Sequence, residues 1–415
     1  MTQKSNAFLV GLVAICVLTL VARVALPAPS CACNLQEDPV EKLTNSIGAF
    51  GLELFNLLAA DGEDVFISPL SIHMALAMTY NGAQGETSWQ MARALNVLSM
   101  NNKELNEGAK ELLQELGRDR PDIELSIANS IWARKGLSFQ EAFLKTGERF
   151  YGARIEKLDF NSSAALEKIN GWVSQKTKGK INKIIEQIDP QAITFLINAV
   201  YFKGAWQDQF EKSNTKEKTF FLPEGSEKKH PLMSQSGRFR YLENEKIQMI
   251  RLPYGKEGNL GAYVLLPRES HGLKDLIAEL SWEKWTAWLA EMKREEGRLE
   301  LPRFGLRYEK VLNEPLKKLG LKRAFEEKRA DLSGIIALSG ENAYINQVKH
   351  KTFLEVDEKG TEAAAATSVE VRATAMPSGD RFEMVVNRPF LFAVADRKTK
   401  ALLFLGAIRE PKEID

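Results

Sequence analysis

The chain has 415 residues, with 56 Lys and Arg against 55 Asp and Glu, for a formal net charge of +1. That balance leaves no global field for nucleic acid or an anionic membrane, and the length allows one large core or two modest ones. All three cysteines, Cys16, Cys31 and Cys33, precede Asn34, and the four histidines show no metal-ligand spacing, so the body must be stable without disulfides or a metal clip.

The chain starts with Lys4, an apolar run over residues 7–22, Arg23, and a stretch of Pro, Ala, Ser and Cys. This is the layout of a secretory signal, and the run is short for a bilayer span. Ala28-Pro29-Ser30 places small residues before a cut that would leave Cys31 first. Cys31 is then a candidate lipid-attachment residue, although a bacterial lipobox normally has Leu where this chain has Ala28. Secretion, lipid anchoring and an uncleaved anchor stay open, with residues 1–33 as leader and 34–415 as a single domain.

Residues 40–59 carry Leu43, Ile47, Phe50, Leu54 and Leu58 at helical spacing and predict an amphipathic helix. Val65-Phe66-Ile67 reads as a short strand. Ser68, Pro69 and Ser71 suit the start of a helix over 70–81. Helices are expected up to 95 and over 100–115, 141–151 and 165–177, with a strand over 123–132. Residues 192–202 are apolar on both faces, as in a strand inside a large sheet. Further strands follow over 218–266, including 248–253 and, just beyond, 261–267. A helix is expected over 281–295, a strand over 298–303, a helix over 308–319, and a long strand over 344–357. Strands over 382–386, 390–396 and 401–408 finish the chain. Helices early and strands late, with no repeat or dividing linker, indicate an α+β fold.

The long strand leads into Glu358-Lys359-Gly360-Thr361 and an alanine-rich run. Read with a period of two, Thr361, Ala363, Ala365, Thr367, Val369 and Val371 form a small-to-apolar face. The following Ala373-Thr374-Ala375-Met376-Pro377-Ser378-Gly379-Asp380 reads as loop. A potential strand is thus attached to a loop, over about 358–386. Propensity alone equally allows a helix or linker, since four alanines run together.

The rest of the chain decides between them. Residues 352–366 resemble the proximal hinge of a serpin reactive-centre loop. Phe66-Ile67-Ser68-Pro69-Leu70-Ser71-Ile72, Asn198-Ala199-Val200-Tyr201-Phe202-Lys203-Gly204-Ala205-Trp206, Leu301-Pro302-Arg303-Phe304, Asn387-Arg388-Pro389-Phe390 and Phe404-Leu405-Gly406 are similar to serpin motifs in the same order. The resemblance covers roughly residues 42–411.

It implies a serpin fold: a large central mixed sheet, two further sheets, surrounding helices and an exposed reactive-centre loop. It also implies a monomeric suicide-substrate inhibitor of serine, and possible cysteine, endopeptidases, without cofactor. Serpin loop insertion is an established case of strand addition that releases stored strain. By the same resemblance Glu358, Gly360, Thr361, Ala363 and Ala365 form the hinge. Ser68, Ser71, Asn198 and His350 form the shutter beneath the strands that part, and Trp206, Arg303 and Glu358 the breach where the loop enters. Family spacing sets the reactive bond at Thr374–Ala375, with Arg372 and Met376 as alternative recognition residues. Thr374 suits an elastase-like or subtilisin-like protease; Arg372 would suit a trypsin-like one. The leader, by contrast, gives the expectation of a secreted or extracellular protein, touching a membrane only through its N-terminus.

The residues themselves permit insertion. The entering face is small and uncharged, Gly360 lets the backbone re-aim, and no Pro between 344 and 375 removes a ladder donor. An enzyme reading lacks a Gly-x-Ser-x-Gly elbow, a His-Glu-x-x-His pair and a phosphate-binding glycine loop. The alternative is a non-inhibitory serpin acting as carrier, chaperone or storage protein, against which the hinge composition argues.

Overall fold

In a computed structural model of the chain, which describes residues 38–269, 272–337, 343–361 and 381–413, the backbone forms an α+β fold around two large sheets. The mixed sheet that matters for function is built from Ile123–Arg134 (β1), Arg154–Leu158 (β2), Thr194–Ala205 (β3), Phe304–Val311 (β4), Gln347–Val356 (β5) and the two-residue Gly360–Thr361 (β6). Its spatial order is β4-β5-β6-β3-β1-β2.

Five of these are full strands; β6 is the tip of a sixth. β3 and β5 run parallel and pair directly from Phe195 opposite Gln347 to Val200 opposite Thr352. At the far end β6 stands between them, antiparallel to both: Thr361 lies opposite Val356 and Gly204, and Gly360 opposite Ala205. β3 is the strand expected from its two-sided apolar run, and it is buried from Thr194 to Phe202.

Beside it stand a nine-stranded sheet and a small ribbon in which Ser138–Phe139 pairs with Ile336–Ala337. Phe390–Asp396 and Leu402–Ile408 are buried at every position, and Val65–Ile67 pairs with the latter. Helix Pro69–Tyr80 is buried along nearly its whole length. Its Ser68 cap accepts the Ser71 amide at 3.3 Å and Pro69 occupies the first turn, the start signal read from the sequence.

Three sequence expectations need correction. Residues 308–319 are not one helix: β4 runs to Val311, and a short helix covers Asn313–Lys318. β4 pairs residue by residue with β5, from Phe304–Val356 to Val311–Lys349, and this tertiary pairing overrides the helix preference of Glu309 and Lys310. The helix expected over 281–295 is Trp282–Glu291, because Lys293–Pro302 is claimed by pairing with the strand Glu227–Glu243. The strand expected over 344–357 is Gln347–Val356, and the chain then reverses at residues 357–359 instead of running straight on.

The reversal depends on a close approach. A Cβ on Gly360 would sit 2.1 Å from the Gly204 carbonyl oxygen and 2.8 Å from the Ala205 Cα, both backbone atoms that cannot step aside. Gly360→Ala should therefore push β6 off β3, at a cost of about 1–3 kcal/mol by analogy with overpacking. We expect a lower first denaturation midpoint in urea; an unchanged midpoint would show that β6 is not held as described.

Candidate functional site

The described site has two centres, one at each end of the β3–β5 boundary. At the mouth, Asp357 starts the reversal: its carboxylate accepts the Lys359 amide at 2.8 Å and the Gly360 amide at 3.0 Å. The three carbonyls that follow are all taken from the β3 side. Trp206 donates its indole N–H to Asp357 O and its amide to Lys359 O, each at 2.9 Å, and the Phe210 amide donates to Glu358 O at 2.9 Å. Trp206 is 3% exposed and stacks on Tyr254 at 4.5 Å. The Tyr254 hydroxyl lies 2.5 Å from the Thr361 Oγ1, with both residues fully buried. Burial pushes the Tyr254 phenol well above its ordinary value, so it stays neutral. Bonds of this kind contribute about 0.5–1.5 kcal/mol each, so the hinge tip is held by a few kcal/mol.

Glu358 departs from expectation. From sequence alone it would be a solvated surface charge, yet it is 3% exposed. Its Oε1 accepts the Thr215 hydroxyl at 2.7 Å and lies 3.7 Å from Arg303 Nη1. Arg303 lies nearer Glu413, whose Oε1 it reaches at 3.0 Å from Nε and 2.5 Å from Nη2. The bond to Glu413 is the main cause that raises the guanidinium above its usual pKa.

The second centre is a polar knot beneath the directly paired part of the sheet. Asn129, Asn198 and His350 lie side by side on β1, β3 and β5. Asn198 uses its amide fully: Nδ2 donates to Asn129 Oδ1 at 2.6 Å and to Ser71 Oγ, and Oδ1 lies 2.5 Å from His350 Nδ1. His350 Nε2 accepts the Ser68 amide at 3.2 Å. Since that nitrogen accepts, the proton sits on Nδ1 and is donated to Asn198. Nearby, the Thr352 hydroxyl donates to Phe66 O at 2.6 Å. The knot ties helix Pro69–Tyr80 to both strands that border the slot.

Thus Ser68, Ser71, Asn198 and His350 come together at the knot, and Trp206, Arg303, Glu358, Gly360 and Thr361 at the mouth. Ala363, Ala365, Arg372, Thr374, Ala375, Met376 and Cys31 lie outside the described residues. Sequence reasoning missed Asn129, Thr215, Tyr254, Asp357 and Glu413. Only Asp357 carried a local signal, an Asp three residues before a Gly. Among the described residues no group of three or more His, Cys, Asp or Glu is placed to hold a metal ion.

Burial holds His350 down at about 3 and His73 at about 4, against an ordinary value near 6.5. The unfolded chain therefore binds more protons below pH 6.5. The stability that neutral His350 contributes is complete above that pH and is lost as pH falls toward 3. Urea midpoints should drop between pH 7 and pH 4, and His350→Gln should flatten that slope. A His350→Gln variant with the wild-type slope would exclude His350 as a proton-coupled group.

Comparison with known proteins agrees with this geometry. A family model described as serpin (serine protease inhibitor) matches residues 45–411. Serpin B6 of Pongo abelii is 36% identical over 383 residues, covering 90% of this chain and 100% of its own. The crystal structure of tengpin, a thermophilic serpin in the native state, matches with a TM-score of 0.83 at 35% identity, covering 89% of this chain and 94% of that one. Human thyroxine-binding globulin complexed with its hormone matches with a TM-score of 0.82 at 26% identity, covering 90% of this chain and 100% of that one. With one family's pattern running through nearly all of its sequence and fold, the chain belongs to the serpins, the serine protease inhibitors.

Proposed function

We propose that this serpin is an inhibitory member, consumed in a single turnover rather than acting as a catalyst. A protease serine attacks the Thr374 carbonyl, the Ala375 amine leaves, and the loop end is released as an ester on the enzyme. Residues after Thr361 then extend β6 down the slot between β3 and β5 and carry the acyl-enzyme with them. The observation that carries this reading is the seating of β6 at the mouth, with Thr361 paired to both β5 and β3 and Gly360 paired to β3. A strand that already has its first pairs needs only propagation, and each further ladder bond contributes about 0.5–1.5 kcal/mol.

On this reading the residues of the mouth act as breach and hinge. Those of the knot act as the shutter, whose Asn198–His350 bond must yield before β3 and β5 can part. The bland Thr374 side chain favours elastase-like or subtilisin-like serine proteases, with Arg372 and Met376 offering secondary sites. A monomer suffices for this chemistry, and no cofactor enters it. A carrier role draws support from the likeness to thyroxine-binding globulin, but the small, uncharged hinge face favours insertion. Incubation with elastase, subtilisin, trypsin and a papain-like enzyme should yield SDS-stable complexes with at least one of the first two.

Two predictions follow from the hinge and the leader. Thr361 is fully buried, so Thr361→Arg places a cation where burial costs several kcal/mol before relaxation. The loop should still be cut, but few stable complexes should form and active protease should be recovered. Trapping with wild-type stoichiometry would mean that strand insertion is not the mechanism. For the leader, we propose export with cleavage near Cys31, with or without lipid on that residue. Mass spectrometry of the exported protein should find a chain that starts near Cys31 and has no disulfide in its body; a retained Met1 would contradict it.

A further inference from the structure

We infer that Glu413 sets how readily the hinge leaves its native seat, by drawing Arg303 away from Glu358. The inference rests on the strand-insertion reading and adds to it a residue about 55 positions downstream of the hinge. Arg303 stands between two carboxylates and shares itself unequally. Both of its bonds to Glu413 fall within hydrogen-bond range, whereas Glu358 lies at 3.7 Å.

The backbone of all three participants is fixed, so the sharing is decided by the arginine side chain. Arg303 N donates to Pro231 O at 3.0 Å, and its carbonyl lies 2.5 Å from His230 Nε2. The segment bearing Glu413 is held by Gly305 N donating to Lys412 O at 2.6 Å and Lys228 Nζ donating to Pro411 O at 2.5 Å. Glu358 is pinned through Thr215 and through Phe210. The other carboxylate near Arg303, that of Asp357, is engaged by the Lys359 and Gly360 amides.

The two ends of the bridge differ in exposure. The Glu413 side chain is 45% exposed and that of Glu358 3%. A cation that closes on the buried carboxylate meets a lower dielectric, where the pair is stronger than at the exposed carboxylate but costs more desolvation, so the charge at 413 decides the balance. Glu413 also repels Glu358 across the shared cation. Without the negative charge at 413, Arg303 should close on Glu358 and fasten the hinge; with it, the hinge is anchored more loosely and yields its place at the mouth more readily to an entering strand. Glu413 is thus a positioning residue acting through Arg303.

The test uses the intact protein and a synthetic peptide with the sequence of residues 361–374, whose annealing between β3 and β5 is followed on native gels. Glu413→Gln should slow annealing about two- to fivefold, the range of a partly exposed ion pair. In an Arg303→Gln background the same substitution should change nothing, and in 1 M salt the effect should shrink with the screening length. Faster annealing of Glu413→Gln, as expected if Glu413 merely held the chain end in place, would overturn the inference. So would an equal slowing in the Arg303→Gln background. If the peptide anneals to the wild type while Glu413→Gln anneals at the same rate, only the role of Glu413 fails. If the wild type accepts no peptide at all, the insertion reading fails and the inference with it.

Discussion

Two parallel strands cannot both close on each other and leave room for a third. In this protein β3 and β5 do the first over Phe195–Val200 and Gln347–Thr352 and the second at Gly204–Ala205 and Val356. The sheet is zipped at one end and wedged at the other. The parallel pairing in the zipped half is slightly less stable per residue than antiparallel pairing, and a strand entering from the wedge would be antiparallel to both neighbours. On the insertion proposed above, the sheet would gain that antiparallel arrangement once the loop is cut, and the other features of the site bear on this one boundary.

The two polar centres guard it in different ways. At the mouth, the reversal at Asp357, the three carbonyls capped from the β3 side, and the Thr361–Tyr254 contact hold Gly360 and Thr361 in place. At the knot, His350 joins β5 to β3 through Asn198 and to helix Pro69–Tyr80 through the Ser68 amide. Because the imidazole is fully buried and its two nitrogens have opposite duties, a second proton has no acceptor there, which is why burial keeps it neutral. Removing either strand from the knot leaves buried polar atoms without partners, a penalty of about 1–3 kcal/mol for each.

Much of this was legible in the sequence, for identifiable reasons. Gly360 declared itself by its place at the turn, while the period-two run after Thr361 lies outside the described residues. The knot residues Ser68, Ser71, Asn198 and His350 were located only through family resemblance, since nothing in their spacing predicts that they meet. Asn129 escaped notice because its role comes from register: it lies directly across from Asn198. Glu358 read as a surface charge because its burial is produced by Thr215, Phe210 and Arg303, which are remote in sequence. The helix expected over residues 308–319 failed for the same reason, its charged residues being recruited into β4 by pairing with β5.

The proposed insertion is tested most directly by the state of the protein after its loop is cut. A protease that nicks the loop without being trapped would yield the cleaved chain free of enzyme, and its melting temperature and amide exchange can be compared with those of the intact protein. The cleaved form should melt far above the intact one, with residues 362–373 newly protected and the facing amides of β3 and β5 slowed. A cleaved chain that melts at or below the intact one, with those residues exchanging freely, would contradict the proposal that this sheet waits for its missing strand.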